Sequence, residues 1–285
     1  MFTWVGLFLT QVALIVWHRP LWHRRLGVIG MGVAALVVAL AARRCGPASS
    51  VRCSPELCIA KTDHEGHNTG TFEHAGLSSM AHAGQDHWDA VYEKKRADEV
   101  SWYEPRPGKS LELIQATGIQ VTEPVIDVGG GASLLVDELL AAGYSDLTVL
   151  DVSAAVLEKL RSRLGSAAAS VRLLHEDVTA FRPTRQFALW HDRAVFHFLT
   201  QHEDRQRYID ALQQGVRPGG HVLMATFGPA GPERCSGLPT VRYDAATLGV
   251  ELGAEFALVE SSLVIHRTPW NANQQFLYCR FNRRP

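Results

Sequence analysis

The chain is poor in cysteine, with five in 285 residues, and an odd count leaves no complete disulfide framework. A small scaffold stapled by bridges is excluded, and a reducing compartment is expected. A surplus of one charge is also lacking, since 28 basic residues face 29 acidic ones for a formal net charge of -1. Without a basic surplus a phosphate-binding surface is not the main business of the chain, and no nucleic-acid partner is expected. Cys45, Cys53, Cys58, His64, His67, His74 and His82 crowd one stretch, but their spacing matches no standard zinc module and no metal site is expected.

Apolar residues are plentiful at 46% but unevenly spread. They run from Met1 to Trp17 and again from Leu26 to Ala42, separated by His18-Arg19-Pro20-Leu21-Trp22-His23-Arg24-Arg25. Each run is near the short limit of a membrane-spanning helix, roughly 17 to 25 residues. Trp4, Trp17 and Trp22 fall where interfacial aromatics sit, and Arg43-Arg44 close the second run. Residues 1–44 are therefore expected to form a transmembrane helical hairpin, with residues 1–42 engaging the membrane; a signal sequence or an extension from a misplaced start codon is the alternative. Gly, Ser, Pro, Thr and His dominate residues 45–81, which read as a flexible Cys/His-containing linker. A folded domain is expected over residues 82–285.

The most informative stretch of that domain is Val125-Ile126-Asp127-Val128-Gly129-Gly130-Gly131, an apolar strand entering glycines before a helix. Glycines let the backbone turn tightly and approach a ligand, and the helix start offers unpaired N–H groups. The dinucleotide fingerprint would place a third glycine where Leu134 stands, which argues against a pyrophosphate ligand. Instead, Asp127 precedes the glycines and Asp151 ends Leu147-Thr148-Val149-Leu150, where a ribose would be held. Two further strand-like runs, Val171 to His175 and Phe187 to Trp190, end in Glu176-Asp177-Val178 and His191-Asp192-Arg193. In an open parallel sheet these tips converge on one crevice. Strand and helix alternate through Leu135–Leu140, Ala154–Leu164 and Leu212–Val216, then a turn at Arg217-Pro218-Gly219-Gly220 and a fifth strand, His221 to Phe227.

The order Asp-x-Gly-x-Gly, acid, acid, polar tip resembles the class I S-adenosylmethionine-dependent methyltransferases. The resemblance covers the chain from about His82 onward. It implies an α/β Rossmann-like, doubly wound, mostly parallel seven-stranded sheet with an antiparallel last strand, its final pair near Phe256–His266 and Gln275–Phe281. It also implies S-adenosyl-L-methionine as cofactor, held by Asp127, Gly129, Gly130, Gly131, Asp151, Val152, Asp177, Val178 and His191. Asp177 would read the adenine, or cap the turn that follows it. Since that cofactor is a cytosolic metabolite, the domain is expected on the cytoplasmic side of a membrane, or soluble in the cytoplasm if the N-terminal extension is not real.

His191 and Asp192 are the candidate catalytic residues, His191 as the proton acceptor because imidazole titrates near neutrality; alternatively Asp192 and Arg193 pair to shape the pocket floor. Trp102 and Tyr103 are expected near the sulfonium, where a ring gives cation–π attraction. Arg193 and Cys235 are candidate substrate contacts, the thiol with a lowered pKa beside Arg234. The tip from Trp190 to Phe198 and the loop from Ser236 to Val241 look like those of thiopurine methyltransferases. Trp88-Asp89-x-Val91-Tyr92 and Ser101-Trp102-Tyr103 look like small lysine methyltransferases. The expected acceptor is a small molecule, with a thiol or related compound preferred, or else a protein lysine; a non-catalytic module that keeps S-adenosylmethionine as a sensor ligand is the alternative to an enzyme. The chain departs from both branches in having His191 before the acid and Ala194 where glycine is frequent.

Overall fold

The computed structural model describes residues 75–285, with side chains from Gly84 onward; the expected hairpin and most of the expected linker lie outside the described residues. Among the described residues no helix is long and apolar enough to cross a membrane. The first described helix, α1 (Ala75–Lys94), starts inside the stretch read as linker.

Helix α2 (Gly108–Gln115) precedes the alternating part, β1 (Val125–Val128), α3 (Leu135–Ala141), β2 (Leu147–Asp151), α4 (Ala154–Leu164), β3 (Val171–His175), β4 (Phe187–Arg193), α5 (His202–Gly215) and β5 (Val216–Phe227). A two-stranded excursion, β6 (Arg234–Cys235) and β7 (Leu238–Pro239), follows, then α6 (Ala245–Leu252), β8 (Phe256–Arg267) and β9 (Asn273–Arg283). The seven-stranded sheet has the order β3-β2-β1-β4-β5-β9-β8. Strands β1 to β5 are mutually parallel, and β9 lies antiparallel between β5 and β8. The last strand is thus inserted into the sheet rather than added at its edge.

Every residue of β1 and β2 is buried, as expected of parallel strands covered on both faces. Side chains alternate across the sheet and feed two cores. One is built around Trp190, Tyr208, Leu212 and Phe281, the other around Leu111, Leu135, Leu139 and Leu160. The glycine turn read at Arg217 to Gly220 lies within β5, where the register against β4 slips between Phe187 and Leu189. Gly219, at φ 72°, supplies the left-handed residue that this irregularity needs. The parallel strands present their carboxyl ends on one edge, and the crevice there is the site.

Candidate active site

A cavity of about 560 Å³ opens at that edge, within the range of ligand sites. Its walls include Val128, Gly129, Asp151, Val152, Asp177 and Val178. The backbone at Gly129 has φ 69°, and a Cβ there would overlap Val195. A Cβ on Gly130 would strike the Asp127 carboxylate, and one on Gly131 would strike Val156. Close packing, as well as backbone freedom, therefore demands glycine at this turn.

Asp151 closes β2 with its Oδ1 accepting from the Ser153 amide at 3.0 Å and its Oδ2 from the Gly131 amide at 3.2 Å. Burial pushes its pKa up to about 6, against the lowering effect of those two amides. An acid kept dry at a cavity wall has lone pairs to offer a ligand's hydroxyl groups, which would favour its charged form. Asp177, after β3, is half-buried and spends Oδ1 on the amide and hydroxyl of Thr179, each at 2.8 Å. The capping turn and the cavity wall are thus served by the same side chain. Asp127, Gly130 and Gly131 stand behind the cavity lining rather than in it; the cradle fits the cofactor in that Asp127 Oδ2, beside the glycines, is buried without a partner, which suits a cation.

The other wall is aromatic. Trp88 and Tyr92 from α1, Trp102 from the loop before α2 and Phe198 from the turn after β4 all line the cavity. Trp88 packs edge-on to Trp102 at 5.7 Å and to Phe198 at 5.0 Å between centroids, the geometry that aromatic quadrupoles prefer. Tyr92 carries a phenol held well above its ordinary pKa, by burial first and by Asp151 second, so it is no base near neutrality. Helix α1 is pinned to the start of α4 by Asp89, whose Oδ1 accepts from Ser153 Oγ at 2.6 Å and from the Ala155 amide at 3.2 Å. Lys159 donates to the Tyr92 and Lys95 carbonyls from below. The sequence showed Asp89 and Tyr92 as part of the Trp88-Asp89-x-Val91-Tyr92 resemblance; their role depends on a contact some 64 to 67 residues away.

Arg193 lines the cavity but does not pair with Asp192. Its Nη2 lies 3.1 Å from Glu104 Oε1, Nη1 donates to the Trp102 carbonyl at 2.7 Å and Nε to the Tyr278 hydroxyl at 3.0 Å. Burial alone would raise the Glu104 pKa, but His266 and Arg193 hold it below the ordinary value. The loop bearing Trp102 is thereby fastened to the strand tips.

Four expectations are corrected. His191 is not among the cavity-lining residues, because its register partner is Asp127 and its ring turns inward. Nδ1 lies 2.6 Å from Asp127 Oδ1 and Nε2 2.9 Å from Ser110 Oγ, so neither nitrogen is left for a substrate proton. Asp192 is fully buried beneath the next turn, accepting from the Val195 and Phe196 amides and from the Tyr208 hydroxyl at 2.7 Å. It is a capping carboxylate, and burial pushes its pKa up to about 6. Cys235 is buried against Ser101 Oγ at 3.4 Å and is not among the cavity-lining residues. Burial raises its pKa, outweighing the hydrogen bonds that would lower it. Tyr103 also stands outside the cavity lining and packs behind it against a small core around Tyr92, Val100 and Val156.

Ala194 lines the cavity with φ 73°, a left-handed conformation that costs a residue with a Cβ roughly 1–2 kcal/mol. The position calls for glycine, which accounts for the glycine frequent there in the resembling families.

Comparison with known proteins bears on this geometry. A family model described as "Methyltransferase domain" matches residues 125–220, the segment from β1 into β5. The chain is 26% identical over 162 residues to an eEF1A lysine and N-terminal methyltransferase of Mus musculus, a match covering 54% of this chain and 23% of that protein. It is 23% identical over 166 residues to EEF1A lysine methyltransferase 2 of Homo sapiens, covering 53% and 70%. The chain thus matches less than a quarter of the length of the first of these relatives. Among solved structures, the 1,6-didemethyltoxoflavin-N1-methyltransferase of Burkholderia thailandensis, with bound S-adenosylhomocysteine, superposes with a TM-score of 0.52 at 21% identity, covering 74% of this chain and 87% of that one.

Proposed function

Starting from the chain's membership of the class I S-adenosylmethionine-dependent methyltransferase superfamily, we propose that it methylates a small, largely apolar acceptor, with a thiol as the nucleophile. The cofactor supplies a methyl group activated on a sulfonium. Asp151 and Val152 would hold its ribose, Asp177 and Val178 its adenine, and Asp127 with the glycine turn its amino-acid end, beside the aromatic wall. Trp88, Tyr92, Trp102 and Phe198 exclude water there and favour a cation by their ring faces. What remains for the protein is alignment of the acceptor's lone pair with the sulfur–methyl bond.

The observation that carries the acceptor class is the chemistry of this wall: aromatic rings and a guanidinium, with His191 turned away and the Tyr92 phenol too weak an acid to serve as a base. A thiol suits such a wall because a useful fraction ionises near neutrality and its thiolate needs no protein base. A lysine would have to shed a proton without a basic side chain among those rings. The second reading, a protein lysine acceptor, is favoured by the names of the relatives matched.

The full chain incubated with methyl-labelled S-adenosylmethionine, a pool of small thiols and amines and a pool of proteins separates the readings. Label on small thiols is expected. Label on protein alone overturns the acceptor class, and cofactor binding without turnover favours a sensor over an enzyme. We further propose that residues 1–44 anchor the domain at the cytoplasmic face of a membrane, a reading supported by the two apolar runs. Release of the full chain from membranes by alkaline carbonate would refute it.

A further inference from the structure

Asp127 and His191 are register partners on adjacent parallel strands, so their side chains leave the sheet on the same face. Both are buried, and Ser110 of α2 behind them is fully buried too. A carboxylate only accepts, so the 2.6 Å contact requires the proton on Nδ1 of His191. In the neutral ring Nε2 then accepts from the Ser110 hydroxyl at 2.9 Å. One oxygen of Asp127 is consumed by this arrangement. The other, Oδ2, is buried without a partner against the α-carbon of Gly130.

We infer that His191 is a positioning residue: by holding Oδ1, it keeps the Oδ2 of Asp127 turned into the glycine loop, where it meets the ammonium of the cofactor's amino-acid end. Ser110 acts one step further back, holding Nε2 and with it the plane of the ring that donates to the carboxylate. This inference rests on the cofactor reading above and adds to it a division of labour, since His191 touches neither methyl donor nor acceptor. It also explains why a histidine occupies a strand tip without facing the cavity.

The test uses two ligands that differ only at the end in question. S-adenosylhomocysteine carries the ammonium, whereas 5′-methylthioadenosine keeps the nucleoside and sulfur but lacks the amino-acid portion. Binding of each to the full chain is measured by calorimetry for wild type, His191→Leu, His191→Asn and Ser110→Ala, with near-UV circular dichroism reporting packing. His191→Leu should weaken S-adenosylhomocysteine about tenfold or more, as loss of support for a charged hydrogen bond does, and leave methylthioadenosine within about twofold. His191→Asn, whose amide N–H can replace Nδ1, should recover most of that loss. Ser110→Ala should cost about threefold for the first ligand alone. Should the leucine variant fail to fold, the asparagine and alanine variants decide by the same pair of ligands. Equal weakening of both ligands, or no change in either, overturns the positioning role while the cofactor reading stands; failure of wild type to bind either nucleoside overturns both.

Discussion

Replacing Asp151 by asparagine separates a carboxylate kept for a ligand from one kept for the fold. Its pKa is raised from 3.8 to about 6 in the folded chain, chiefly by burial. A raised acid makes the folded state hold a proton that the unfolded state has already released. Its favourable contribution is complete below about pH 4, declines as pH climbs through the window to about 6, and is gone at neutrality. At about 1.4 kcal/mol per pH unit, the cost of carrying the charge above that window is ~3 kcal/mol. Asparagine carries no charge, but its amide nitrogen must face either the Ser153 or the Gly131 N–H, which leaves a donor unpaired at roughly 1–3 kcal/mol. The variant should therefore be the less stable protein near pH 4 and equal or superior near pH 7.5, the difference between the two climbing by ~3 kcal/mol across the window. Urea unfolding of the full chain at a series of pH values, followed by tryptophan fluorescence, measures it; Asp192 titrates in both proteins and cancels in the difference. Affinity of wild type for S-adenosylhomocysteine should also fall as pH drops below about 6, because the ribose hydroxyls need the charged acceptor, and the variant should lose binding at every pH. Parallel stability profiles for the two proteins would refute the argument from burial. Undiminished ligand binding by the variant would refute the assignment of Asp151 to the cofactor.

Ala194→Gly removes a Cβ from a left-handed residue at φ 73° and should stabilise the chain by ~1 kcal/mol in the same urea assay; a loss of stability would show that the strain is absent. Tyr208→Phe deletes the hydroxyl that donates to Asp192 and accepts from the Trp190 indole. It should cost roughly 2–4 kcal/mol of stability, from two buried polar groups left short of a partner, with kcat unchanged below the unfolding range. A large fall in kcat without loss of stability would return Asp192 to the catalytic machinery.

Much of the fold was legible because its signals are local. Period-two and buried apolar runs mark strands, glycines mark the turn, and an acid at a strand tip has few structural uses, so Asp127, Asp151 and Asp177 stood out. The start of α1 falls in the stretch read as linker because those residues carry a linker's Gly and Ser composition, while Trp88, Val91 and Tyr92 further on show the apolar face. The hydrophobic runs before residue 44 imply a hairpin by length and flanking aromatics, a reading that belongs to the sequence alone.

Which way a side chain faces at a strand tip is set by pairing between strands distant in the chain. His191 has a titratable ring at a promising position, yet register with Asp127, 64 residues away, turns that ring inward and occupies both nitrogens. Cys235 was read as a substrate contact beside Arg234, whereas Ser101, 134 residues earlier, packs against its thiol. The aromatic wall joins Trp88, Tyr92, Trp102 and Phe198, which no sequence window contains together. Periodicity and glycine thus determined where the strand ends and the cofactor turn lie, since both follow from the local backbone. Only the packed sheet decided which polar groups reach the cavity and which are spent on one another, because that choice depends on register and burial between segments the chain brings together last.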